Sequence, residues 1–133
     1  MAKKIEYYDG RPILEANNSA KLIEAVEKFK MTNPDILLET PYVVRVKGKK
    51  IKDCAFYRCP DICVAILNDN VEMIDRGAFM SCTSLTNVVI PDSVTEIDKY
   101  AFWGCCRLKE IYINNQKLLK KVNFDQKPQI LPL

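Results

Sequence analysis

The chain has 133 residues, a formal net charge of +3 and 48% apolar residues, a balance that fits one compact domain and excludes disordered and collagen-like chains. No uncharged run is long enough to cross a bilayer, and the stretch Met1–Asp9 lacks the apolar core of a secretion signal. Histidine is absent, which removes the commonest general base and metal ligand. We therefore expect a cytoplasmic protein whose six cysteines are reduced.

The N-terminal residues 1–40 carry a hairpin signal and a helix signal. Asp9-Gly10 is a preferred tight-turn dipeptide between two apolar stretches. Residues Asn17–Ser19 supply helix N-cap side chains, and Pro34 limits the helix downstream. Apolar residues recur between them at helical spacing, at Leu22, Ile23, Val26 and Phe29. We predict a hairpin and an amphipathic helix that together cap the rest of the chain.

A 23-residue repeat follows this segment. The dipeptide Ala-Phe begins at Ala55, Ala78 and Ala101, and seven of 23 positions are identical between residues 55–77 and 78–100. Unrelated segments of ordinary composition share about one or two. One such unit cannot bury its own apolar side chains, so stacked units must share a core. The predicted ladders are Phe56/Phe79/Phe102, Cys59/Cys82/Cys105, Ile62/Leu85/Leu108, Ala65/Val88/Ile111 and Leu67/Ile90/Ile113.

The period extends towards the N-terminus and fades towards the C-terminus. A step of 23 residues aligns Tyr42, Val44 and Ile51 with Ala65, Leu67 and Ile74. Residues Tyr42–Val46 are therefore interpreted as the strand of a truncated first repeat. We assign the array to residues 41–116 and a degenerate cap and tail to residues 117–133, where Pro128 and Pro132 predict an irregular end.

The unit Ala-Phe-x2-Cys-x2-Leu-x2-(Val/Ile)-x-Ile-Pro-x2-Val-x2-Ile resembles the BspA-type leucine-rich repeat, a 23-residue subclass. The full pattern stands at Ala78–Ile97, while Asn68 and Asn114 replace its proline in the flanking copies. The resemblance implies an α+β fold, namely a short leucine-rich-repeat solenoid of three to four repeats with an N-terminal hairpin and helix cap. It also implies a non-enzymatic binding or adhesion module, and similar proteins are often secreted or attached to a surface.

Residues between the inward strand positions are expected to face outward. They form an apolar column, Val43/Ile66/Val89/Tyr112, and a more polar column, Pro41/Val64/Asn87/Glu110. Contiguous exposed apolar surface usually marks a contact site, and the resemblance implies ligand binding on this face. We predict that a protein partner binds there, in an adaptor, adhesin-like or inhibitory role. The predicted contacts are Val43, Ile66, Asn87, Val89, Glu110 and Tyr112.

Three alternatives to a bound partner stay open for this face. The N-terminal segment folds over it, or its β-branched residues serve only strand propensity. In the third alternative a second copy of the chain covers it, which gives a homo-oligomer.

A basic run supplies an alternative function, the binding of nucleic acid or another anionic surface. Five cations fall within eight residues, and they are Arg45, Lys47, Lys49, Lys50 and Lys52. Lysines at such spacing can contact phosphates and release counterions. No aromatic residue for base stacking stands beside them, and Gly48 indicates a turn tip where lysines are commonly solvated. The protein partner is therefore the favoured prediction.

No pattern predicts catalysis, a cofactor or a metal site. The spacing Cys54-x4-Cys59-x3-Cys63 does not match the paired cysteines of zinc sites. A cysteine nucleophile needs a basic partner such as histidine, which the chain lacks. The carboxylate columns Asp69/Asp92 and Asp75/Asp98 lack the oxygen-rich loop that calcium needs, and Asp69 and Asp92 are placed to bond turn backbone groups. Cys63 and Cys106 align with polar residues of other copies and are predicted to be exposed.

Overall fold

Short strands stack side by side along the chain and form a solenoid. The structure, a computed structural model, describes residues 4–133. The first three residues, on which the prediction about a secretion signal partly rests, lie outside the described residues. The elements are β1 (Tyr7–Tyr8), β2 (Arg11–Glu15), helix α1 (Ser19–Thr32), β3 (Tyr42–Val46), β4 (Lys50–Ile51), β5 (Ile62–Leu67), β6 (Met73–Ile74), β7 (Asn87–Val89), β8 (Glu96–Ile97), β9 (Glu110–Tyr112), a 3-10 helix (Gln116–Leu119) and β10 (Gln129–Leu131).

The strands form two sheets on different sides of the solenoid turns. The larger sheet has the order β1-β2-β3-β5-β7-β9-β10, and the smaller has the order β4-β6-β8. Every pairing is parallel except that of β1 with β2. The repeats that contain β3, β5 and β7 each contribute one strand to each sheet, and the repeat of β9 contributes to the larger sheet only. This stack confirms the predicted short solenoid with a hairpin and helix at its N-terminal end.

The core consists of the predicted side-chain ladders, all of whose members are buried. The rings of Phe56, Phe79 and Phe102 stack with centroids 5.4 and 5.5 Å apart. Phe124 adds a fourth ring 6.2 Å from Phe102, although it stands one residue short of the repeat. The cysteine ladder also forms hydrogen bonds to backbone carbonyls of the preceding repeat, since the Cys82 thiol donates to the Phe56 carbonyl at 3.0 Å. Cys105 repeats this bond with Phe79 at 2.9 Å.

Helix α1 closes the N-terminal end of this core. The Asn18 side chain accepts a hydrogen bond from the Lys21 N–H at 2.8 Å, which is the predicted N-cap. The Ser19 N–H donates to the Ala55 carbonyl at 2.9 Å and connects the start of the helix to the first complete repeat, residues 55–77. Leu22 and Val26 are buried in the core. The prediction for Ile23 is wrong, because a residue next to Leu22 points about 100° away around the helix, and Ile23 is 60% exposed.

The register of the first repeat differs from the prediction by two residues. Val44 pairs with Ala65, and Arg45 pairs with Ile66, whereas Ile51 pairs with Ile74 as the repeat predicts. The first repeat is shorter between its two strands, because residues 47–49 replace residues 68–72 of the next repeat. The outward columns are therefore Arg45/Ile66/Val89/Tyr112 and Val43/Val64/Asn87/Glu110.

The prediction of an irregular C-terminal end is wrong, because β10 forms between the two prolines. The Gln129 N–H donates to the Lys109 carbonyl at 2.7 Å, and the Leu131 carbonyl accepts from Ile113 at 2.8 Å. Alternate positions of a strand face opposite edges, so Pro128 and Pro132 stand where a backbone N–H would point away from β9. A missing donor costs nothing at the edge of a sheet. The boundaries at residues 40 and 116 stay predictions.

Candidate functional site

The N-terminal hairpin lies over part of the outer face of the larger sheet. Asp9 and Gly10 form its turn with positive φ angles of 53° and 78°, as a two-residue hairpin turn requires. Tyr8 and Ile13 pack on a small cluster formed by the buried residues Val43, Cys63 and Val64 and the half-buried Ile66. The N-terminal segment thus has two roles, since α1 closes the end of the core and the hairpin covers the first outward strand positions.

Two residues that the sequence predicts to be exposed are buried beneath the hairpin. Val43, a predicted contact, is only 1% exposed, and Cys63 is buried as well. Arg11 contributes to the cover, because its Nη1 lies 3.2 Å from the Cys63 sulfur. Burial raises the pKa of the Cys63 thiol, against the opposing effect of the Arg11 charge. Cys106 is exposed, as predicted.

A groove remains where the hairpin ends and the outer strand face continues. We call it the hairpin groove, and its volume is about 500 Å³. The hairpin supplies one wall with Tyr8, Asp9 and Arg11, and the turn before β9 adds Arg107. Strands β7 and β9 supply the opposite wall with Asn87, Glu110 and Tyr112. The groove therefore holds phenol, carboxylate, guanidinium and amide groups within one concave surface.

A hydrogen-bonded chain holds the polar side chains of the strand wall in place. The Thr86 hydroxyl donates to Asn87 Oδ1 at 2.7 Å, and Asn87 Nδ2 donates to Glu110 Oε1 at 2.7 Å. The Tyr112 hydroxyl lies 3.4 Å from the same carboxylate oxygen. Asn87 and Glu110 meet because they are paired residues of neighbouring strands. The parallel register therefore fixes the orientation of the Glu110 carboxylate.

Two carboxylates, Asp9 and Glu110, influence the two tyrosines of the hairpin groove. Burial, followed by the charges of Asp9 and Glu110, raises the pKa of Tyr8. Burial and the Glu110 carboxylate also raise the pKa of Tyr112. Negative charges make ionisation of a phenol harder, and the same field favours a bound cation. Arg11 and Arg107 balance the two carboxylates in the groove lining, so a cation gains most from a direct contact with Glu110.

Four of the six predicted contacts line the hairpin groove. They are Asn87, Glu110, Tyr112 and the buried Val43. Ile66 and Val89 are half-buried in the neighbouring column. The sequence patterns did not place Tyr8, Asp9 or Arg11 in the site. The Asp-Gly turn predicted the hairpin, but strand alternation gives no information about the direction in which a hairpin folds.

The basic run is partly neutralised by carboxylates. Arg45 Nη2 lies 2.8 Å from Glu6 Oε2, and Lys47 Nζ lies 2.6 Å from Glu15 Oε2. Lys50 Nζ lies 3.7 Å from Asp75 Oδ2. Lys49 and Lys52 are exposed. Three of the five cations therefore have an acidic neighbour in the folded chain.

The carboxylate columns contribute to turns and side-chain contacts. Asp98 Oδ2 accepts from the Tyr100 N–H at 2.8 Å, and Asp92 Oδ1 accepts from Asn114 Nδ2 at 3.1 Å. Within residues 4–133, no three His, Cys, Asp or Glu side chains come together as a metal site would require. In the same residues, no helix is both long and apolar enough to cross a membrane.

The stacked repeats identify the family. The family model of the BspA type leucine-rich repeat region matches residues 45–130 and accounts for six copies. The chain belongs to the BspA type leucine-rich repeat family. Repeat proteins of this kind are commonly used for protein interaction and are typically not enzymes. No curated protein and no solved structure matches the chain.

Proposed function

We propose that this BspA-type repeat protein recognises a partner protein through the hairpin groove. The observation that carries the proposal is the fixed Asn87–Glu110–Tyr112 arrangement beside Tyr8. A concave site that combines aromatic surface with a few oriented polar groups is typical of recognition. Tyrosine is also enriched among the residues that contribute most to binding energy.

The partner segment carries a lysine or arginine side chain. Asp9 and Glu110 attract a cation, and the Tyr8 and Tyr112 rings can contact its aliphatic part. Arg11 and Arg107 line the same groove and offer donors to carbonyl groups of the partner backbone. The groove volume of about 500 Å³ lies within the range of about 300–1,000 Å³ that is usual for ligand sites. The remaining contact area comes from the neighbouring column, where Ile66 and Val89 serve as the apolar rim.

The anionic-ligand alternative has less support. Arg45, Lys47 and Lys50 already have carboxylate neighbours, and a phosphate must displace those neighbours before it can bind. Each displacement reduces the gain from counterion release. The cytoplasmic location is likewise a proposal, and it is supported by six unpaired cysteines of the kind found in reducing compartments.

Selection of binders from a random peptide library displayed on phage tests the groove directly. We expect enriched peptides to contain lysine or arginine. Glu110→Gln keeps the hydrogen-bonding shape and removes the charge, and a charge-assisted bond is worth about 1.5–3 kcal/mol, so affinity falls about tenfold or more. Glu96→Gln on β8 is the matched control and leaves affinity unchanged.

Two further variants separate the hairpin groove from other surfaces. Tyr112→Ala weakens the same peptides at least as much as Glu110→Gln does, whereas Val89→Arg, at the apolar rim outside the groove lining, weakens them less than either. If Val89→Arg abolishes binding and Glu110→Gln does not, the apolar column is the site and the groove proposal is wrong. Peptides without a basic residue that bind equally well to Glu110→Gln contradict the proposed partner chemistry.

A further inference from the structure

The C-terminal end of the solenoid has a cavity with an apolar floor and a rim of lysines. Its volume is about 660 Å³, and its floor includes Leu119, Val122 and Phe124. Phe124 is the last ring of the phenylalanine ladder, so no further ring of the described residues stacks on its outer side. The rim consists of Lys117, Lys120 and Lys127. We call this surface the basic end.

The three lysines reach the cavity from two segments of the chain. Lys117 lies in the 3-10 helix, and Lys120 follows its last residue. Residues three apart lie one above the other in such a helix, so these two ammonium groups share one side of the cavity. Lys127 belongs to the segment before β10, and all three lysines are exposed. Like charges at such short spacing repel one another, and an anion bound between them relieves this repulsion.

The charges of the basic end are not neutralised within the fold. The described lining of the cavity contains three lysines and no Asp or Glu. Among residues 4–133, none of these lysines has a carboxylate oxygen within 4.0 Å. Asp125 uses Oδ1 to accept from the Gly104 N–H at 2.9 Å, and Glu96 of β8, which packs beside the 3-10 helix, forms no ion pair with them. The basic end therefore favours an anionic occupant, unlike the basic run at residues 45–52.

An added strand is not the occupant that this end favours. β10 is the last strand of the larger sheet, and Pro128 and Pro132 remove the donors on either side of Ile130 along its free edge. A further strand finds too few backbone donors there to pair with. An occupant of the basic end must therefore bind through its side chains.

The shape of the cavity favours one class of anionic partner. Leu119 and Val122 are only 9% and 8% exposed, so the floor lies below the lysines and does not protrude as an apolar face that enters a bilayer does. Among the described residues, Phe124 is the one aromatic ring in the lining, whereas single-stranded nucleic acid stacks on successive aromatic rings. A protein segment fits best, because one apolar side chain can enter the cavity while its acidic neighbours reach the rim.

We propose that the basic end binds an acidic segment of a partner protein, with one large apolar side chain on the floor and Asp or Glu side chains at the lysine rim. Exposed ion pairs contribute little individually, so the binding energy comes from the apolar contact and the three charges together. The inference uses no residue of the hairpin groove. The two surfaces select segments of opposite charge, since the groove offers Glu110 to a cation and the basic end offers lysines to an anion.

Peptides selected on the full chain from a random phage-displayed library, and then sorted by loss of binding to Lys120→Glu, test this proposal. We expect the sorted peptides to combine acidic residues with a large apolar residue. Fluorescence anisotropy with a labelled peptide of this set measures affinity. Lys120→Glu should lower it about fivefold, because the reversal removes an exposed attraction and adds a repulsion. Amides in place of the peptide's acids, alanine in place of its apolar residue, or about 0.5 M salt should each weaken binding as well.

Two control variants separate the basic end from the other charged surfaces. Lys49→Glu makes the same change of charge in the basic run, and Glu110→Gln alters the hairpin groove; both should leave the affinity of these peptides unchanged. Circular dichroism confirms that each variant is folded. If no selected peptide binds Lys120→Glu more weakly than the wild type, or if Lys49→Glu weakens the acidic peptides and Lys120→Glu does not, the proposal is wrong. Either result leaves the test of the hairpin groove unaffected.

Discussion

Replacement of Phe79 by alanine tests whether the phenylalanine ladder is the centre of the core. Phe79 is fully buried and stacks on Phe56 at 5.4 Å and on Phe102 at 5.5 Å. A buried phenylalanine-to-alanine change costs about 3–5 kcal/mol, and each aromatic pair contributes about 0.5–1.5 kcal/mol beyond its buried area. Because Phe79→Ala removes two aromatic pairs, we expect the free energy of unfolding to fall by about 4–5 kcal/mol, in the upper part of that range.

Urea unfolding followed by far-UV circular dichroism measures this loss as a lower midpoint at unchanged slope. Small domains have about 5–15 kcal/mol of stability, so Phe79→Ala removes a large share of it. Phe124→Ala is the matched variant, since Phe124 is half-buried and has a ring neighbour on only one side. It should cost about 1–2 kcal/mol. Equal losses in the two variants would refute the reasoning that the interior rings stabilise the stack more than the last one.

The other predictions concern turns, capping and pH. Gly104→Ala should cost about 1–3 kcal/mol, because Gly104 has a φ of +81° and an added Cβ would stand 2.7 Å from Ser81 Oγ; Gly48→Ala, with 4.0 Å of clearance, should cost less in the same urea assay. Asn18→Ala removes the acceptor for the Lys21 N–H and should lower the free energy of unfolding by about 1 kcal/mol; an unchanged thermal midpoint would contradict this capping role. Burial raises the pKa of Cys59, Cys63 and Tyr8, so the folded chain keeps these protons to higher pH than the unfolded chain does. The stability that these protonated groups contribute is fully present below about pH 8.5 and is lost as the pH rises through their raised pKa values. A urea midpoint at pH 10 equal to or above that at pH 7 would contradict this expectation.

The 23-residue period predicts which side chains are neighbours in the core. Phe56 and Phe79, like Cys82 and Cys105, occupy the same place in successive turns, and their neighbours follow from the 23-residue step alone. The period gives the wrong strand register for the first repeat, because the connection between β3 and β4 is shorter than the corresponding connection in the next repeat. Tyr42 and Val44 are both apolar, so a register shifted by two residues fits the same alternation. Only the pairing of Val44 with Ala65 distinguishes the two registers.

The candidate site was only partly predictable for a related reason. Alternation places Asn87, Glu110 and Tyr112 on the outer face, because each is one step from an inward residue. It contains no information about Tyr8 or Asp9, whose position depends on how the hairpin packs on Val43 and Val64. The prolines around β10 likewise predict an irregular end, although a strand at the edge of a sheet tolerates them when the missing donors face outward.

The central claim is that a partner occupies the hairpin groove. Backbone ¹H–¹⁵N shifts, measured by NMR while a selected lysine- or arginine-containing peptide is added, test it most directly. The account predicts that the largest changes fall on residues 8–11, 84–87 and 107–112, which meet around Glu110. Changes confined to residues 45–52, with the amides around Glu110 unmoved, would contradict the account and assign binding to the basic run.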